Sequence, residues 1–424
     1  MLAWLSVLIV AATLALMLVR PRGLLEAWAA VLGAAAMALV GAIGFGDVAA
    51  VVAETSDVLL FLLGMMVLTG LVERAGIFDW LAASWAGLAR GSGLLLFTLV
   101  FVLGAVVTVF LSLDATVIIL TPIVYALVSQ RRLDATPYMF ACTFVANTAS
   151  LALPISNLTN LLVFHQLGLG FAAFASRMWL PTLAAVGTNF AAFAWLFRDR
   201  LARRFDPVPA KLPPTDRWFR VCAAVLALSL LGLLALGFLD LPLSPAPLAG
   251  SVVLLALGRN DRRASFRAVV GDVSWPLFAF VVGMFLVVRG FEHFWLAQLS
   301  VVLPADPLSG LVVAVVGAAV GSNVVNNVPV TILGISLLKG AALEVAALKG
   351  AAPAVRDLAA YGALVGANVG PTATTYGSLA TMLWLSLVRQ RGVAVSTWDY
   401  MKVGLVTMPV VLVAATLALW LVSR

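Results

Sequence analysis

Charged residues are scarce in this chain. Asp, Glu, Lys and Arg make up 11% of its 424 residues, whereas 63% are hydrophobic, and the mean hydropathy is +1.10. So little polar surface cannot cover a soluble globule of this size, which excludes that class of protein. The apolar runs have the length of membrane helices, and long stretches of alternating polarity are absent, which excludes an outer-membrane barrel. We therefore predict an all-α polytopic membrane protein.

Cysteine and histidine are almost absent, with two residues of each. Cys142 and Cys222 lie in separate predicted helices, so we expect neither a disulfide framework nor a thiolate metal site. No spacing of nucleophile and base indicates an enzyme, and we expect no cofactor. The net charge of +7 is typical of basic loops that face anionic lipid and does not indicate nucleic acid binding.

One apolar segment carries a dense group of neutral polar side chains. Residues 147–160 read NTASLALPISNLTN and have apolar residues on both sides. Polar groups are costly in hydrocarbon unless they line a protein-enclosed or watered cavity. Pro154 lacks a backbone donor and disfavours helix at the residue before it. We therefore predict two half-helices joined by an unwound link, an arrangement that many transporters use for a binding site.

The chain is predicted to contain two halves with the same order of elements. The first half covers residues 1–197 and the second covers residues 221–424, with a basic cytoplasmic linker at 198–220. Each half carries one re-entrant helical hairpin and one broken helix at the membrane midplane, and we expect about ten membrane crossings in all. For the first hairpin, a pair of full crossings is the competing interpretation. The hairpins are predicted at 93–128 and 308–338, and the broken helices at 137–164 and 358–387. We also expect the third apolar helix to begin near residue 58 after an acidic loop, an interfacial stretch at 290–303 and a loop at 339–357.

Short matches relate the two halves. FLLGM at 61–65 matches FVVGM at 280–284, and the Ala-Asn pair at 146–147 matches the pair at 367–368. The first half is predicted to cross the membrane five times, an odd number, so the second copy is inverted. This orientation places most of the 26 Lys and Arg residues on the cytoplasmic side, as the positive-inside rule requires. Inverted repeats with broken helices are typical of secondary transporters.

Asp114 is the only carboxylate in the interior of a predicted membrane segment, and it falls against Asn327 of the second half. Desolvation disfavours the charged form of a buried carboxylate, so such a group can exchange a proton near neutral pH when access alternates. Alternatively, the Asp114 side chain caps the second helix of the first hairpin. The two roles are compatible. We predict that Asp114 carries a coupled proton, because ionisable groups inside membranes are seldom retained without use.

Neutral amides and hydroxyls recur at matching places in both halves. Each of them alone is more typical of helix packing than of ligand contact, but together they predict a polar cavity between the halves. The predicted substrate contacts are Asn147, Thr148, Ser150, Asn157, Asn326, Asn327, Asn368, Thr372 and Ser378. No Arg or Lys accompanies them, so a small neutral polyol fits this site more easily than a multiply charged anion.

Four stretches give the chain a family resemblance. They are LDATVIILTP at 113–122, ANTASLALPISNLTN at 146–160, NNVP at 326–329, and GANVGP at 366–371 with GSLATMLW at 377–384. Over nearly its whole length the chain resembles the membrane subunit of bacterial arsenite and antimonite efflux pumps. That family lies in the ion transporter superfamily, which also contains the divalent anion:sodium symporters. The symporters carry Ser-Asn-Thr at both hairpin tips, whereas this chain has SLD at 112–114 and SNV at 322–324.

The resemblance implies export of arsenite and antimonite across the bacterial inner membrane by proton antiport. It also admits two protein partners, a soluble arsenite-stimulated ATPase and a second copy of the chain in a homodimer. Arsenous acid is undissociated at neutral pH, so we expect its hydroxyls to meet Asn, Ser and Thr side chains. The titratable Asp114 favours protons as the coupling ion without excluding sodium. A sodium-coupled anion symporter, a sodium/proton antiporter and a channel-like pore stay open as alternatives.

Overall fold

The computed structural model describes residues 2–19, 25–207, 212–259, 261–295, 304, 306–345 and 352–424. Within these residues the chain is helical and has no β-strand, which confirms the all-α prediction. The helices up to the linker are α1 (Leu2–Val19), α2 (Glu26–Leu39), α3 (Phe45–Arg74), α4 (Ile77–Leu88), α5 (Gly93–Phe110), α6 (Leu113–Gln130), α7 (Ala135–Ala149), α8 (Leu158–Leu167) and α9 (Phe171–Leu196). The later helices are α10 (Arg198–Leu201), α11 (Arg217–Phe238), α12 (Pro245–Leu257), α13 (Phe266–Asp272), α14 (Trp275–Trp295), α15 (Pro307–Val325), α16 (Asn327–Val345), α17 (Ala352–Val369), α18 (Leu379–Gln390) and α19 (Thr397–Val422).

Eight of the described helices are long and apolar enough to cross a membrane, namely α1, α3, α5, α6, α11, α14, α15 and α19. The polytopic prediction is therefore confirmed. Helices α2 and α12 are shorter, with 14 and 13 residues. At a rise of 1.5 Å per residue each extends only about 20 Å, less than a hydrocarbon core of about 30 Å. Both pack against a long helix of the opposite half.

Each predicted hairpin is a pair of helices with a short break. In the first pair, α5 ends at Phe110 and α6 begins at Leu113. In the second pair, α15 ends at Val325 and α16 begins at Asn327. The single residue between them, Asn326, has a φ of 78° and a ψ of 154°, a backbone conformation that few residues other than glycine adopt. The break in the second pair is therefore one residue long, against two in the first pair.

Both predicted helix breaks around the polar stretches are confirmed. Residues 150–157 separate α7 from α8, and residues 370–378 separate α17 from α18. Each link begins with or contains a short 3-10 turn, Pro154–Ser156 in the first and Gly370–Ala373 in the second. A proline lies in the first two positions of each turn, where its missing backbone donor removes no helical hydrogen bond.

Some predicted boundaries are wrong. Helix α3 was expected to begin near residue 58 but begins at Phe45, because the acidic residues taken for a loop have partners elsewhere: Glu54, for example, accepts from Arg289 at 2.7 Å. The loop predicted at 339–357 is helical at both ends, since α16 continues to Val345 and α17 begins at Ala352. The interfacial stretch predicted at 290–303 is helical up to Trp295, and residues 296–303 lie outside the described part of the chain.

The matched motifs FLLGM and FVVGM lie where the halves interlock. Gly64 of α3 lies against α12, and an added Cβ there would be 2.8 Å from Leu248 N. Gly283 of α14 lies against α2, and an added Cβ there would be 2.9 Å from the carbonyl carbon of Ala30. Small residues let helix backbones approach this closely. Each motif therefore places its glycine against the short helix of the opposite half.

The helix packing keeps nearly the same pattern when the two halves are exchanged. Helix α2 packs on α14 as α12 packs on α3, and α5 packs on α7 as α15 packs on α17. Helix α8 contacts α16 as α18 contacts α6, and α9 packs along its counterpart α19. Two copies of one unit produce such a pattern. The opposite orientation of the copies in the membrane stays a prediction.

An ion-pair cluster ties the end of the linker to the loop after α12. Arg263 Nη1 lies 2.7 Å from Asp216 Oδ2, and Arg263 Nη2 lies 2.8 Å from Asp261 Oδ2. Hydrogen bonds from the Arg263 guanidinium lower the pKa of both carboxyl groups. Both groups therefore stay ionised at pH values at which an isolated Asp begins to bind a proton, and the cluster persists throughout the physiological pH range.

Gly404 of α19 lies against the link of the second broken helix, where an added Cβ would be 2.0 Å from Thr372 O. We expect Gly404→Ala to push α19 away from the link and to lower stability by about 1–3 kcal/mol, the usual cost of overpacking. Thermal unfolding in detergent measures this effect. Gly187→Ala is the matched control, because nothing lies within 4 Å of an added Cβ at that position of α9. Equal unfolding temperatures for the two variants would contradict the close packing at Gly404.

Candidate functional site

Asn368 of α17 joins the two broken helices. Its Oδ1 accepts hydrogen bonds from Ser150 Oγ (2.9 Å), from Asn157 Nδ2 and from Thr159 Oγ1 (3.4 Å). Its Nδ2 donates to Asn160 Oδ1 at 2.9 Å. All five side chains are buried. One amide of the second half therefore holds four polar side chains of the first half, across the point at which α7 is interrupted.

Asn147 of α7 occupies the matching position in the first half. Its Nδ2 donates to Thr143 O at 2.8 Å and lies 3.5 Å from Thr381 Oγ1 of α18. At the spacing that relates the two halves, Asn147 corresponds to Asn368 and Thr381 corresponds to Asn160. This contact is therefore the counterpart of the bond between Asn368 and Asn160. Asn147 Oδ1 is buried but accepts no hydrogen bond in the described part of the chain, unlike Asn368 Oδ1. An unpaired buried acceptor is costly, so it is a candidate to accept from a ligand hydroxyl.

The second half-helix of each broken helix begins with a side-chain cap. Asn157 Oδ1 accepts from Thr159 N at 3.3 Å at the start of α8. Ser378 Oγ accepts from Thr381 N at 3.1 Å at the start of α18. These caps satisfy backbone donors that the helix itself leaves free. The remaining free N–H groups of both half-helices favour oxygen atoms of a ligand nearby.

Asp114 lies after the N-cap residue of α6, so its side chain does not cap this helix. Ser112 Oγ accepts from Ala115 N at 3.1 Å, so Ser112 supplies the side-chain cap for which Asp114 was the alternative candidate. The Asp114 carboxylate forms no hydrogen bond or ion pair with any residue that the structure describes. It lies in the first turn of α6, where the helix dipole favours negative charge. The carboxylate is therefore free to take up a proton or to contact a ligand.

Two adjoining cavities meet at Asp114. One has a volume of about 350 Å³ and extends along α3 to Glu73, with Asn157 also on its wall. The other has a volume of about 330 Å³, and its wall includes Asp114, Asn157, Asn327 and Ser378. The second cavity thus receives polar side chains from one hairpin tip and one broken helix of each half. This is the arrangement that the matching polar clusters of the two halves predict.

The structure brings most of the predicted site residues together in two layers. The cavity wall contains Asp114, Asn157, Asn327 and Ser378. Directly behind it, Asn147, Ser150 and Asn368 belong to the buried network. The network is joined to the wall because Asn157 belongs to both layers. A change in the network is therefore transmitted to the cavity through a hydrogen bond and not only through packing.

Three predicted contacts lie elsewhere. Thr148 Oγ1 accepts from Asn189 Nδ2 of α9 at 3.3 Å. Thr372 Oγ1 donates to a carbonyl of its own helix end, and Asn326 Nδ2 donates to Tyr376 O at 3.3 Å. None of the three lies on the wall of either cavity at Asp114. Consecutive helical residues point about 100° apart, so Thr148 cannot share the face of its neighbour in α7.

Several polar residues of the site region were not predicted as contacts, and on the cavity walls they include Ser274, Glu26, Thr69, Glu73 and Asp272. Ser274, in the short link between α13 and α14, lies on the wall of both cavities. A single Ser before an apolar helix gives no recognisable signal in the sequence. Asn323 of α15 donates to Gly370 O at 2.8 Å and accepts from Thr374 Oγ1 at 2.8 Å. It fastens the second hairpin to the link of its own half, and its place three residues before the hairpin break was the available signal.

The cavities offer neutral oxygen and nitrogen atoms together with carboxylates, Asp114 in both, Glu73 and Asp272 in the first and Glu26 in the second. No group of three or more His, Cys, Asp or Glu side chains that could hold a metal ion occurs among the described residues. Cys142 and Cys222 are both buried, in α7 and α11 respectively. Such an arrangement can bind a small ligand with hydroxyl groups and can exchange a proton with it or beside it.

Comparison with known proteins settles the family. The family described as Arsenical pump membrane protein (ArsB) matches residues 5–421. The chain belongs to this family. The arsenical pump membrane protein of Yersinia enterocolitica is 32% identical over 96% of both chains, and that of Escherichia coli strain K12 is 30% identical over 96% of both chains. An uncharacterized transporter of Synechocystis is 25% identical over 86% of both chains. The predicted resemblance is confirmed.

A solved structure gives the same picture of the fold. The transporter YdaH of Alcanivorax borkumensis, whose crystal structure is described as having an unusual topology, matches with a TM-score of 0.62 at 16% identity. The match covers 89% of this chain and 87% of that one. The chain therefore shares the fold of that structure.

Proposed function

We propose that the chain exports arsenite and antimonite from the cytoplasm as neutral trihydroxides, in exchange for protons that Asp114 carries inward. One observation supports this proposal above the others. The unpaired Asp114 carboxylate shares a cavity of about 330 Å³ with Asn157, Asn327 and Ser378, so a titratable group and neutral hydrogen-bonding groups of both halves surround one space. The names of the relatives in the arsenical pump membrane protein family supply the class of cargo.

The cavity wall suits a neutral trihydroxide. Each hydroxyl both donates and accepts, and the amides of Asn157 and Asn327 together with the hydroxyl of Ser378 offer both functions. A charged oxyanion, in contrast, would lie beside the Asp114 carboxylate without a Lys or Arg on the wall to balance it. The cavity therefore favours the undissociated form that trivalent arsenic adopts in neutral water.

Proton exchange at Asp114 can drive uphill export. An inward-moving proton gains about 2.3 kcal/mol from each 100 mV of membrane potential, whereas a neutral cargo leaves without opposing the field. That energy corresponds to a roughly fiftyfold concentration ratio for one proton per cargo. We accordingly propose an inner-membrane location with the linker 198–220 in the cytoplasm, with a soluble ATPase and a second copy of the chain as optional partners.

Everted membrane vesicles test the proposal. With an acidic interior, we expect arsenite to accumulate inside above its external concentration, and a protonophore to abolish the accumulation. A sodium gradient of the same size is expected to have no effect. Accumulation that follows the sodium gradient would instead support a sodium-coupled symporter, and equilibration that ignores both gradients would support a channel. Either result would overturn proton antiport.

A further inference from the structure

The second hairpin encloses an apolar cavity that plays no part in the site at Asp114. It has a volume of about 320 Å³ and lies between α8, α15, α16 and α17. Its wall is apolar apart from the Thr331 hydroxyl, which donates to Asn327 O of its own helix. An apolar cavity of about 150 Å³ already stays free of water and can hold benzene. A cavity of about twice that volume with an apolar wall is therefore suited to bind an apolar ligand.

The first half carries aromatic side chains at two positions that correspond to the cavity wall. At the spacing that relates Asp114 to Asn327, Phe101 corresponds to Ala314, and at the spacing that relates Asn147 to Asn368, Tyr138 corresponds to Ala359. Phe101 and Tyr138 are both buried. In the second half, both counterparts are alanines on the cavity wall. The small residues at these positions therefore leave room that larger side chains take up in the first half, so the cavity depends on residue identity and not on the shared architecture alone.

The cavity opens towards the outer surface of the molecule. Val313 and Gly317 of α15 lie on its wall and are exposed, opposite Gly334 of α16. Beside this opening, Val316 and Val320 of α15 are 49% and 60% exposed. Helix α15 is long and apolar enough to cross a membrane, so these exposed valines face lipid. The apolar cavity is therefore continuous with the surface that the acyl chains of the bilayer cover.

We propose that this cavity is a binding site for one acyl chain of a membrane phospholipid, inserted between α15 and α16. Hydrocarbon is the apolar material present at high concentration at the opening, and an empty cavity of this size would forfeit the contacts that its wall makes with an occupant. The inner end of the cavity reaches Val163 of α8 and Ala367 of α17. Ala367 directly precedes Asn368, so the bound chain supports the backbone that positions the amide joining the two broken helices.

Photolabelling tests this site without reference to transport. The full-length protein is reconstituted in phospholipid vesicles that contain a phosphatidylglycerol with a diazirine in the middle of one acyl chain, irradiated and analysed by mass spectrometry. We expect the label to be enriched on α15 and α16 at residues of the cavity wall, above its level on the exposed residues Val410 and Val413 of α19. Labelling no stronger than on that lipid-facing surface would overturn the proposal.

Variants that fill the cavity give the second half of the test. Nothing lies within 4 Å of an added Cβ at Gly334, so Gly334→Leu extends into the space, and Ala314→Phe introduces the aromatic ring of the first half. We expect either variant to lose the enriched labelling and to unfold at or above the wild-type temperature. Gly187→Leu, on the exposed face of α9 with equally free surroundings, is the matched control and should leave the labelling unchanged. Persistent enrichment in a folded cavity-filled variant would disprove the site.

Discussion

Asp114→Asn is expected to abolish gradient-driven accumulation of arsenite in everted vesicles while leaving downhill equilibration intact. Asn has nearly the shape of Asp and keeps hydrogen-bonding atoms on the cavity wall, but it cannot bind and release a proton. The loss should amount to the whole concentration ratio that the proton supplies, roughly fiftyfold at 100 mV for one proton per cargo. Uptake of labelled arsenite, with and without an imposed proton gradient, measures both components.

Asp57→Asn is the matched control for this variant. Asp57 also lies inside a long apolar helix, but its carboxylate accepts from Leu243 N and Ser244 N at 3.3 and 3.2 Å, away from the cavities at Asp114. It therefore has a structural role, and the variant should retain the gradient-driven component. If Asp114→Asn still accumulated arsenite against its gradient, another group would have to carry the proton. If both variants failed, the effect could not be assigned to Asp114.

Asn368→Leu is expected to lower stability and to abolish transport together. The substitution removes the only hydrogen-bond partner of Asn157 Nδ2 and of Asn160 Oδ1 in the described part of the chain. Each of these buried polar atoms left unpaired costs about 1–3 kcal/mol, so we expect a loss of about 2–6 kcal/mol and a clear fall in the unfolding temperature. Thermal unfolding in detergent and arsenite uptake at matched protein levels are the two measurements.

Asn147→Leu separates the effect on stability from the effect on transport. Asn147 occupies the position that matches Asn368, but its side chain makes fewer hydrogen bonds. Its Oδ1 is unpaired, its 2.8 Å bond goes to Thr143 O of its own helix, and its contact with Thr381 Oγ1 of the other half is long at 3.5 Å, so little stability depends on it. We expect a change of at most about 1 kcal/mol in stability, since the variant also removes an unpaired buried acceptor. Arsenite uptake should nevertheless weaken if Asn147 Oδ1 accepts from the cargo. Equal destabilisation by the two variants would contradict the central place of Asn368 in the network.

Local chemistry made the helix breaks predictable. Pro154 cannot donate a backbone hydrogen bond, and the polar residues around it cannot face lipid, so the interruption between α7 and α8 followed from the sequence. The start of α3 was not predictable in this way. Glu54 belongs to the helix because it pairs with Arg289, which lies in the other half of the chain. A partner so distant in sequence leaves no trace in the local pattern.

The site was predictable where the two halves share a position and unpredictable where a single residue acts alone. The Ala-Asn pairs identified Asn147 and Asn368, and the lone carboxylate identified Asp114. Thr148 was included because it lies beside Asn147 in the sequence, although its side chain meets Asn189 instead. Ser274 was missed because its place on the cavity wall depends on how α14 packs, which no local pattern encodes.

The role of Asp114 as the proton carrier is tested most directly by the proton movement that arsenite influx itself drives. Proteoliposomes that contain a pH-sensitive dye and no arsenite are given external arsenite, with no imposed ion gradient and no sodium. Exchange at Asp114 predicts that arsenite entering the vesicles expels protons, so the interior becomes more alkaline with wild-type protein and remains unchanged with Asp114→Asn. Arsenite influx through the wild-type protein without a change in internal pH would contradict proton exchange at Asp114. An equal pH change with Asp114→Asn would contradict it as well.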